Sequence, residues 1–213
     1  KIYLPKSLPL TEYADERVQF TLGFYGEGDF FTMKGVVEEF FEKAGLDGRI
    51  TYDPEDKKSF LHPGRQADII YDGVKVGYLG EVHPQVCENY NIGDRVYYAD
   101  IDMPYIVEHA CFDKKYEGIA KFPTSTRDIS LVVDKQVLIG TMENAIIKKG
   151  GKLLESCELF DIYEGEQVGE GKKSVAFSLV FRAKDRTLSD TEISEIMDKI
   201  LAELTGLGAV LRQ

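Results

Sequence analysis

The sequence is poor in cysteine and lacks long hydrophobic runs. Its 213 residues include three cysteines, Cys87, Cys111 and Cys157, an odd number at wide spacing that argues against a disulfide framework and for a reducing compartment. No apolar run approaches the roughly 20 residues that a helix needs to span a bilayer. The sequence opens Lys1-Ile2-Tyr3 without a basic and apolar leader, so we expect a soluble, cytoplasmic fragment of a longer chain.

The sequence also lacks the excess of positive charge that is typical of proteins binding nucleic acid through phosphates. Its net charge is −11, but the acidity is uneven. Residues 1–118 carry 13 Lys and Arg against 22 Asp and Glu, whereas residues 119–213 carry 13 against 15. The second half is therefore not expected to bind RNA strongly through charge alone, and any RNA affinity must come from a few placed groups.

Strand and helix signals alternate along the first half of the chain. The apolar spacing of residues 32–44 predicts an amphipathic helix that ends at Gly45 and turns Val36 toward the core. Asp72-Gly73, between two apolar runs, is a strong signal for a hairpin turn. Strands are predicted at 17–25, 67–71, 74–82 and 95–101. These elements predict an antiparallel sheet with helices against it, followed by a linker at 112–121.

The second half predicts the order βαββαβ, which defines a ferredoxin-like (RRM-like) fold and gives the chain an α+β class. Ser189, followed three residues later by Glu192, forms a capping box at the start of the second helix. The predicted strands are 128–133, 153–163, 173–182 and 209–211, and the first helix is 139–149. Both helices pack on one side of the sheet in this fold, so the other face is open.

The two-residue period of a strand predicts which side chains lie on that open face. In the first strand Ser130 lies outward. In the second, Phe160 and Ile162 point to the helices, while Leu159, Asp161 and Tyr163 point outward. Basic residues, among them Arg182 and Arg212, lie at the margins of the face. An open sheet with one aromatic ring and edge cations is typical of domains that hold single-stranded RNA loops by stacking and phosphate contact.

Motifs in both halves resemble those of one family. The second half contains Phe122-Pro123-Thr124-Ser125-Thr126-Arg127-Asp128-Ile129-Ser130, Leu159-Phe160-Asp161-Ile162-Tyr163, Lys172-Lys173-Ser174 and Arg186-Thr187-Leu188-Ser189-Asp190. These resemble the ferredoxin-fold anticodon-binding domain of the bacterial phenylalanyl-tRNA synthetase β subunit. The first half contains Asp29-Phe30-Phe31, His62-Pro63-Gly64-Arg65 and Gly80-Glu81-Val82-His83-Pro84. These are similar to the catalytic-like module of the same subunit.

The resemblance implies two domains, a non-catalytic class-II-synthetase-like domain at 1–118 and an anticodon-binding domain at 119–213. It also implies an α2β2 enzyme in which the α subunit carries the active site and uses ATP and Mg. This region would pack against the α subunit and hold tRNA(Phe), with no membrane partner, no metal and no cofactor of its own. Consistent with a non-catalytic role, Gly26-Glu27-Gly28 is not followed by the arginine that a class II core uses to clamp ATP phosphates.

Eight residues are candidates for tRNA contact. Tyr163 is a candidate for stacking on a base, although a half-exposed tyrosine is also ordinary in strands. The cations near the rim of the sheet are candidate phosphate contacts, although each alone is typical of a solvated charge. Arg127 is equally expected to pair with Asp128 or Asp161. The full set is Lys121, Arg127, Ser130, Tyr163, Lys172, Lys173, Arg182 and Arg212.

A metal site is the less favoured interpretation of His62, His83 and Cys87, because no fourth ligand appears at a sensible spacing. His83-Pro84 is expected to open a helix, and the segment 62–65 is expected to form a turn. Arg65 is expected to fix that geometry, by pairing with Glu81.

Two alternatives from other functional classes remain open. The second half is also compatible with a protein-binding module whose open face docks another sheet or helix through Leu159, Val132 and Val180. Such binding would be insensitive to salt, whereas RNA binding weakens as salt rises. The other alternative is a stand-alone hydrolase that uses Asp, Glu and His residues of the first half.

Overall fold

The computed structural model describes residues 1–46, 50–113, 116 and 118–212. The chain forms two compact units, Lys1–Lys115 and Tyr116–Gln213. Within the predicted linker, residues 112, 113, 116 and 118–120 are exposed and have no regular secondary structure. Residues 114, 115 and 117 of that linker lie outside the described residues. In the described part of the chain, no helix has the length and apolar character needed to cross a membrane.

The first unit contains a five-stranded antiparallel sheet and a separate two-stranded sheet. The strands are β1 (Ile2–Leu4), β2 (Asp15–Arg17), β3 (Gln19–Tyr25), β4 (Ile50–Asp53), β5 (Leu61–Tyr71), β6 (Val74–Val82) and β7 (Val96–Asp102). The larger sheet has the order β3-β7-β6-β5-β4, and the smaller one pairs β1 with β2. The helices are α1 (Phe30–Lys43), α2 (Pro84–Asn89) and α3 (Met103–His109). The predicted hairpin is confirmed, since Asp72 and Gly73 both have positive φ between β5 and β6.

The core of the first unit lies between α1 and the sheet. Met33, Val37 and Phe41 of α1 are buried against Leu79 and Ile101 of the sheet. The prediction that Val36 faces this core is wrong, because its side chain is 46% exposed. The predicted turn at 62–65 is also wrong. These residues belong to β5, where the pairing with β6 is irregular between Leu61 and Gln66.

The second unit has the predicted βαββαβ order. Its strands are β8 (Ser125–Asp134), β9 (Leu154–Tyr163), β10 (Lys172–Phe181) and β11 (Val210–Leu211), and its helices are α4 (Ile139–Gly150) and α5 (Asp190–Gly206). The strands form one antiparallel sheet in the order β11-β8-β10-β9. Met142 and Ile146 of α4 and Ile200 of α5 pack with Leu131 and Phe177 in one core. Both helices therefore cover the same side of the sheet.

The predicted capping box at the start of α5 is confirmed. The Glu192 backbone N–H donates to Ser189 Oγ at 3.3 Å, and the Ser189 backbone N–H donates to Glu192 Oε2 at 3.0 Å. Arg186 also donates to Glu192 Oε1 at 2.5 Å. The hydrogen bonds that the Glu192 carboxylate accepts, first from the Ser189 backbone and then from Arg186, lower its pKa to about 2.

This lowered pKa makes the stability of the second unit depend on pH. The Glu192 carboxylate contributes fully above its ordinary pKa of 4.5, and the contribution is lost as the pH falls toward about 2. We therefore expect Glu192→Gln to lower the free energy of unfolding at neutral pH and to flatten its decrease between those two pH values. Urea unfolding followed by circular dichroism at several pH values measures this. Glu195→Gln, at an exposed position of the same helix, should retain the wild-type profile, and a wild-type profile for Glu192→Gln would contradict the assignment.

Candidate nucleic-acid interface

The strand register defines the open face of the second unit, the side of the sheet opposite to α4 and α5. Phe177 and Leu179 of β10 are fully buried against the helices, so the residues that alternate with them lie on the open face. Side chains of directly paired residues share a face. The open face therefore includes Thr126, Asp128, Ser130, Val132, Ser156, Glu158, Asp161, Tyr163, Ser174, Ala176, Ser178, Val180 and Val210.

Tyr163 is the center of a group of contacts on this face. It lies at the end of β9 opposite Ser174, it is 37% exposed, and the guanidinium carbon of Arg212 is 5.8 Å from its ring centroid. Arg212 donates to Ser174 Oγ and to Gln167 Oε1, both at 3.4 Å. The hydroxyl oxygens of Ser174 and Ser130 are also 3.4 Å apart. We call these five residues the Tyr163 cluster.

The Tyr163 cluster unites three of the predicted site residues, Tyr163, Ser130 and Arg212. It combines a flat ring, small hydroxyl groups, an amide and a single cation. Gln167 was not predicted, because it lies in the turn between β9 and β10 and no periodic pattern assigns a turn residue to a face. A ring with hydrogen-bonding groups around it can stack on a base and contact the edge of that base.

The position of the Tyr163 ring depends on Gly165. A Cβ atom on Gly165 would overlap the Tyr163 hydroxyl oxygen and lie 2.7 Å from Cζ, well inside van der Waals contact. The ring can therefore lie beside this turn only because residue 165 has no side chain.

Gly165→Ala is expected to displace the Tyr163 ring while leaving the fold intact, because the ring is partly exposed and can rotate away. NMR resonances of the Tyr163 ring, assigned with Tyr163→Phe, should shift in this variant. Gly140→Ala is a matched control, since a Cβ atom at Gly140 meets nothing within 4 Å. Unshifted Tyr163 resonances in Gly165→Ala would contradict the contact.

The remaining exposed cations lie at the two ends of β10 and beyond. Lys172 is exposed opposite Asp134 and, by alternation, belongs to the same side as Ser174. Arg182 directly follows the other end of the strand, and its Nε is 3.0 Å from Glu155 Oε2. Lys121 is exposed in the segment before β8.

Arg127 and Lys173, two of the candidate tRNA contacts, point away from the open face. Arg127 pairs with the core position Leu179, and its Nη2 donates to Asp190 at the start of α5 at 2.8 Å. The predicted partners of Arg127 are therefore wrong. Lys173 pairs with the core position Val133, is 8% exposed and donates to the backbone oxygen of Lys135.

Burial lowers the pKa of Lys173. The prediction grouped Arg127 and Lys173 with the other cations by charge and motif. The strand period turns both of them toward the helices.

A β-bulge in β9 reverses the predicted faces of two residues. The register shifts between Ala176 and Phe177, so that Leu159 pairs with Phe177 and packs against the core. Phe160 is the extra residue and is 57% exposed. The predictions that Leu159 faces outward and Phe160 inward are both wrong. Ile162 pairs with the buried residue Val175, as predicted, but on this edge strand it remains 46% exposed.

The middle of the open face is acidic. Ser178 pairs with Asp128 on one side and Glu158 on the other, and its hydroxyl donates to Asp128 Oδ1 at 2.7 Å. Asp161 is opposite the next outward residue, Ala176. Carboxylates repel phosphates and accept hydrogen bonds from base amino groups. The middle of the face therefore suits exposed bases better than a phosphate backbone.

In the first unit, the predicted pairing of Arg65 is confirmed. Arg65 Nη1 donates to Glu81 Oε2 at 3.0 Å, and Glu81 is 3% exposed. The nearby histidines both accept backbone hydrogen bonds through Nδ1, His62 from Gly64 and His83 from Gln85 in the first turn of α2. Each histidine side chain therefore stabilises the backbone just after it.

Comparison with known proteins assigns both units to described domains. Residues 120–212 match the family model described as "Ferredoxin-fold anticodon binding domain", and residues 1–103 match "Phenylalanyl tRNA synthetase beta chain CLM domain". Together the two domains define a class, the tRNA synthetase subunits that carry an anticodon-binding domain.

Similar curated proteins narrow this class to one family. The chain is 43% identical over its whole length to a phenylalanine–tRNA ligase β subunit of Clostridium acetobutylicum and 40% identical to one of Clostridium tetani, and it covers 27% of each. A β subunit of Halalkalibacterium halodurans is 34% identical over 99% of the chain. The chain belongs to the phenylalanine–tRNA ligase β-subunit family, as a C-terminal region, and spans about a quarter of the length of these relatives.

Proposed function

We propose that the open face of the second unit binds the anticodon stem-loop of tRNA(Phe), as part of a phenylalanine–tRNA ligase. The Tyr163 cluster is the observation that carries this proposal. It offers a stacking ring beside a cation on a sheet face that α4 and α5 leave uncovered. The match to an anticodon-binding domain over residues 120–212 supports the same conclusion.

The chemistry of the face suits a loop whose bases are unstacked. One base stacks on Tyr163, while the partly exposed Ser130 and the exposed Gln167 supply hydrogen-bonding groups around it. Ser174 is only 4% exposed, and its hydroxyl accepts from Arg212 and so holds that cation beside the ring. Arg212 contributes the positive charge that draws a phosphate to this end of the face. The carboxylates in the middle of the face accept hydrogen bonds from base amino groups and keep phosphates at the margins.

The first unit, in this proposal, is a class-II-synthetase-like domain without catalytic groups of its own. It packs against the α subunit of an α2β2 enzyme in the cytoplasm, and the α subunit uses ATP and Mg to attach phenylalanine. The chain contributes positioning, because a held anticodon end orients the distant acceptor end for the reaction.

The salt dependence of RNA binding tests this function. Each phosphate contact with a single strand contributes a slope of about −0.7 to the plot of log affinity against log salt. With two to four such contacts we expect the affinity of the chain for a tRNA(Phe) anticodon stem-loop to fall by about 7- to 50-fold between 50 and 200 mM salt. Fluorescence anisotropy with a labelled stem-loop measures this.

Absence of stem-loop binding would contradict the proposal. So would salt-independent self-association through the open face, which the protein-binding alternative predicts. Of the three apolar residues through which that alternative docks a partner, only Val132 and Val180 lie on the open face, since Leu159 packs in the core.

A further inference from the structure

A groove of about 750 Å³ lies at the far end of β10 within the second unit. It brings together cations that are separate in the sequence, from the segment before β8, the turn just before β9 and the residues just after β10. Its principal lining residues are Lys121, Lys152, Leu154, Glu155, Arg182 and Lys184. We call it the distal basic groove.

The charge of this groove is not neutralised by its surroundings. Four of the 13 Lys and Arg of residues 119–213 line it. Its carboxylate, Glu155, lies beside Arg182. Within the described part of the chain, Lys121, Lys152 and Lys184 have no ion-pair partner. Other cations of the unit do have one, namely Arg127, Lys135, Lys149 and Arg186. Three unpaired lysines and Arg182 thus share one concave site whose described lining residues include a single carboxylate, which favours an anionic ligand.

The distance between the groove and Tyr163 limits which single ligand could occupy both. Tyr163 pairs with Ser174, and Arg182 is eight residues further along the same strand direction. At about 3.3 Å per residue, the groove is roughly 26 Å from the Tyr163 cluster. A nucleotide stacked on Tyr163 therefore cannot also occupy the groove, and a single ligand that occupies both must be an extended polyanion.

The side chains that line the groove indicate which part of an extended polyanion binds there. None of the described residues that line the groove is aromatic, so these residues offer no platform for an unstacked base. Lysines bind phosphates as flexible point charges without reading sequence. Double-stranded RNA presents mainly its phosphates and 2′-hydroxyls to proteins.

We propose that the distal basic groove binds the sugar–phosphate backbone of the helical stem of the RNA whose loop lies on the Tyr163 cluster. This inference rests on the proposed function and adds a second, sequence-independent contact to it. The RNA is held at two points, through bases at one end of β10 and through stem phosphates at the other.

A double variant, Lys152→Gln with Lys184→Gln, tests the groove in the 213-residue chain. We expect it to weaken binding of the tRNA(Phe) anticodon stem-loop by roughly 10-fold at 100 mM salt and to reduce the salt slope by about one per lysine. Binding of a single-stranded oligonucleotide with the loop sequence should be unchanged, since that ligand has no stem. Lys199→Gln on α5, at another exposed lysine outside the groove, should leave both affinities unchanged.

Tyr163→Ala separates failure of this inference from failure of the proposed function. If Tyr163→Ala weakens both ligands while the lysine variant changes neither, the groove assignment is overturned and the proposed function stands. If the lysine variant weakens both ligands equally, the groove belongs to the loop site and the stem assignment is overturned. If the chain binds no stem-loop at all, both proposals are overturned.

Discussion

Tyr163→Ala is expected to weaken binding of the anticodon stem-loop by about 5- to 150-fold, because a base stacked on an aromatic ring contributes about 1–3 kcal/mol. The partly exposed ring lies at an edge of the sheet, so its removal should alter the core little. Fluorescence anisotropy with the labelled stem-loop, at one fixed salt concentration, measures the change.

Two control variants define the cause of that loss. Tyr163→Phe retains the stacking ring and should retain most of the affinity. Tyr25→Ala removes a tyrosine that is 73% exposed in the first unit and should bind as wild type. A wild-type affinity for Tyr163→Ala, or an equal loss for Tyr25→Ala, would contradict stacking on Tyr163.

Phe177→Ala is expected to lower the free energy of unfolding of the second unit by about 3–5 kcal/mol. Phe177 is fully buried in the middle of β10, and its neighbours on the adjacent strands are Ile129 and Leu159. Truncation removes the ring and leaves a cavity beneath both helices. Urea unfolding followed by circular dichroism measures the loss.

Val210→Ala provides the matched comparison, because Val210 is 63% exposed on the edge strand β11. Its substitution should change the free energy of unfolding by no more than about 0.5 kcal/mol. A loss below about 1 kcal/mol for Phe177→Ala would mean that β10 is not the center of this core.

Most of the architecture of the second unit was predictable because it depends on local patterns. The alternation along β10 places Phe177 and Leu179 in the core, and the capping box at Ser189 sets the start of α5. The hairpin at Asp72-Gly73 is likewise encoded by two residues that accept positive φ. Each of these signals is contained within a few consecutive positions.

The errors arise where a residue's environment is set by distant parts of the chain. The bulge in β9 depends on how that strand pairs with β10, and one extra residue exchanges the faces of Leu159 and Phe160. The partner of Arg127 is Asp190, 63 positions away, which no local pattern indicates.

The arrangement of side chains on the open face was therefore predicted in part. The ring, Ser130 and Arg212 follow from strand alternation and are brought together in the Tyr163 cluster. The cations were selected by charge, which does not distinguish the exposed Lys172 from the buried Lys173 next to it. The grouping of Lys121, Lys152 and Lys184 in one groove required the tertiary fold.

NMR titration of the isotopically labelled chain with the tRNA(Phe) anticodon stem-loop tests most directly whether the open face binds RNA. We predict the largest chemical-shift changes at Ser130, Tyr163, Ser174 and Arg212, and small ones on the outer surfaces of α4 and α5. Changes confined to those helices or to the first unit, with the open face unaffected, would contradict the account.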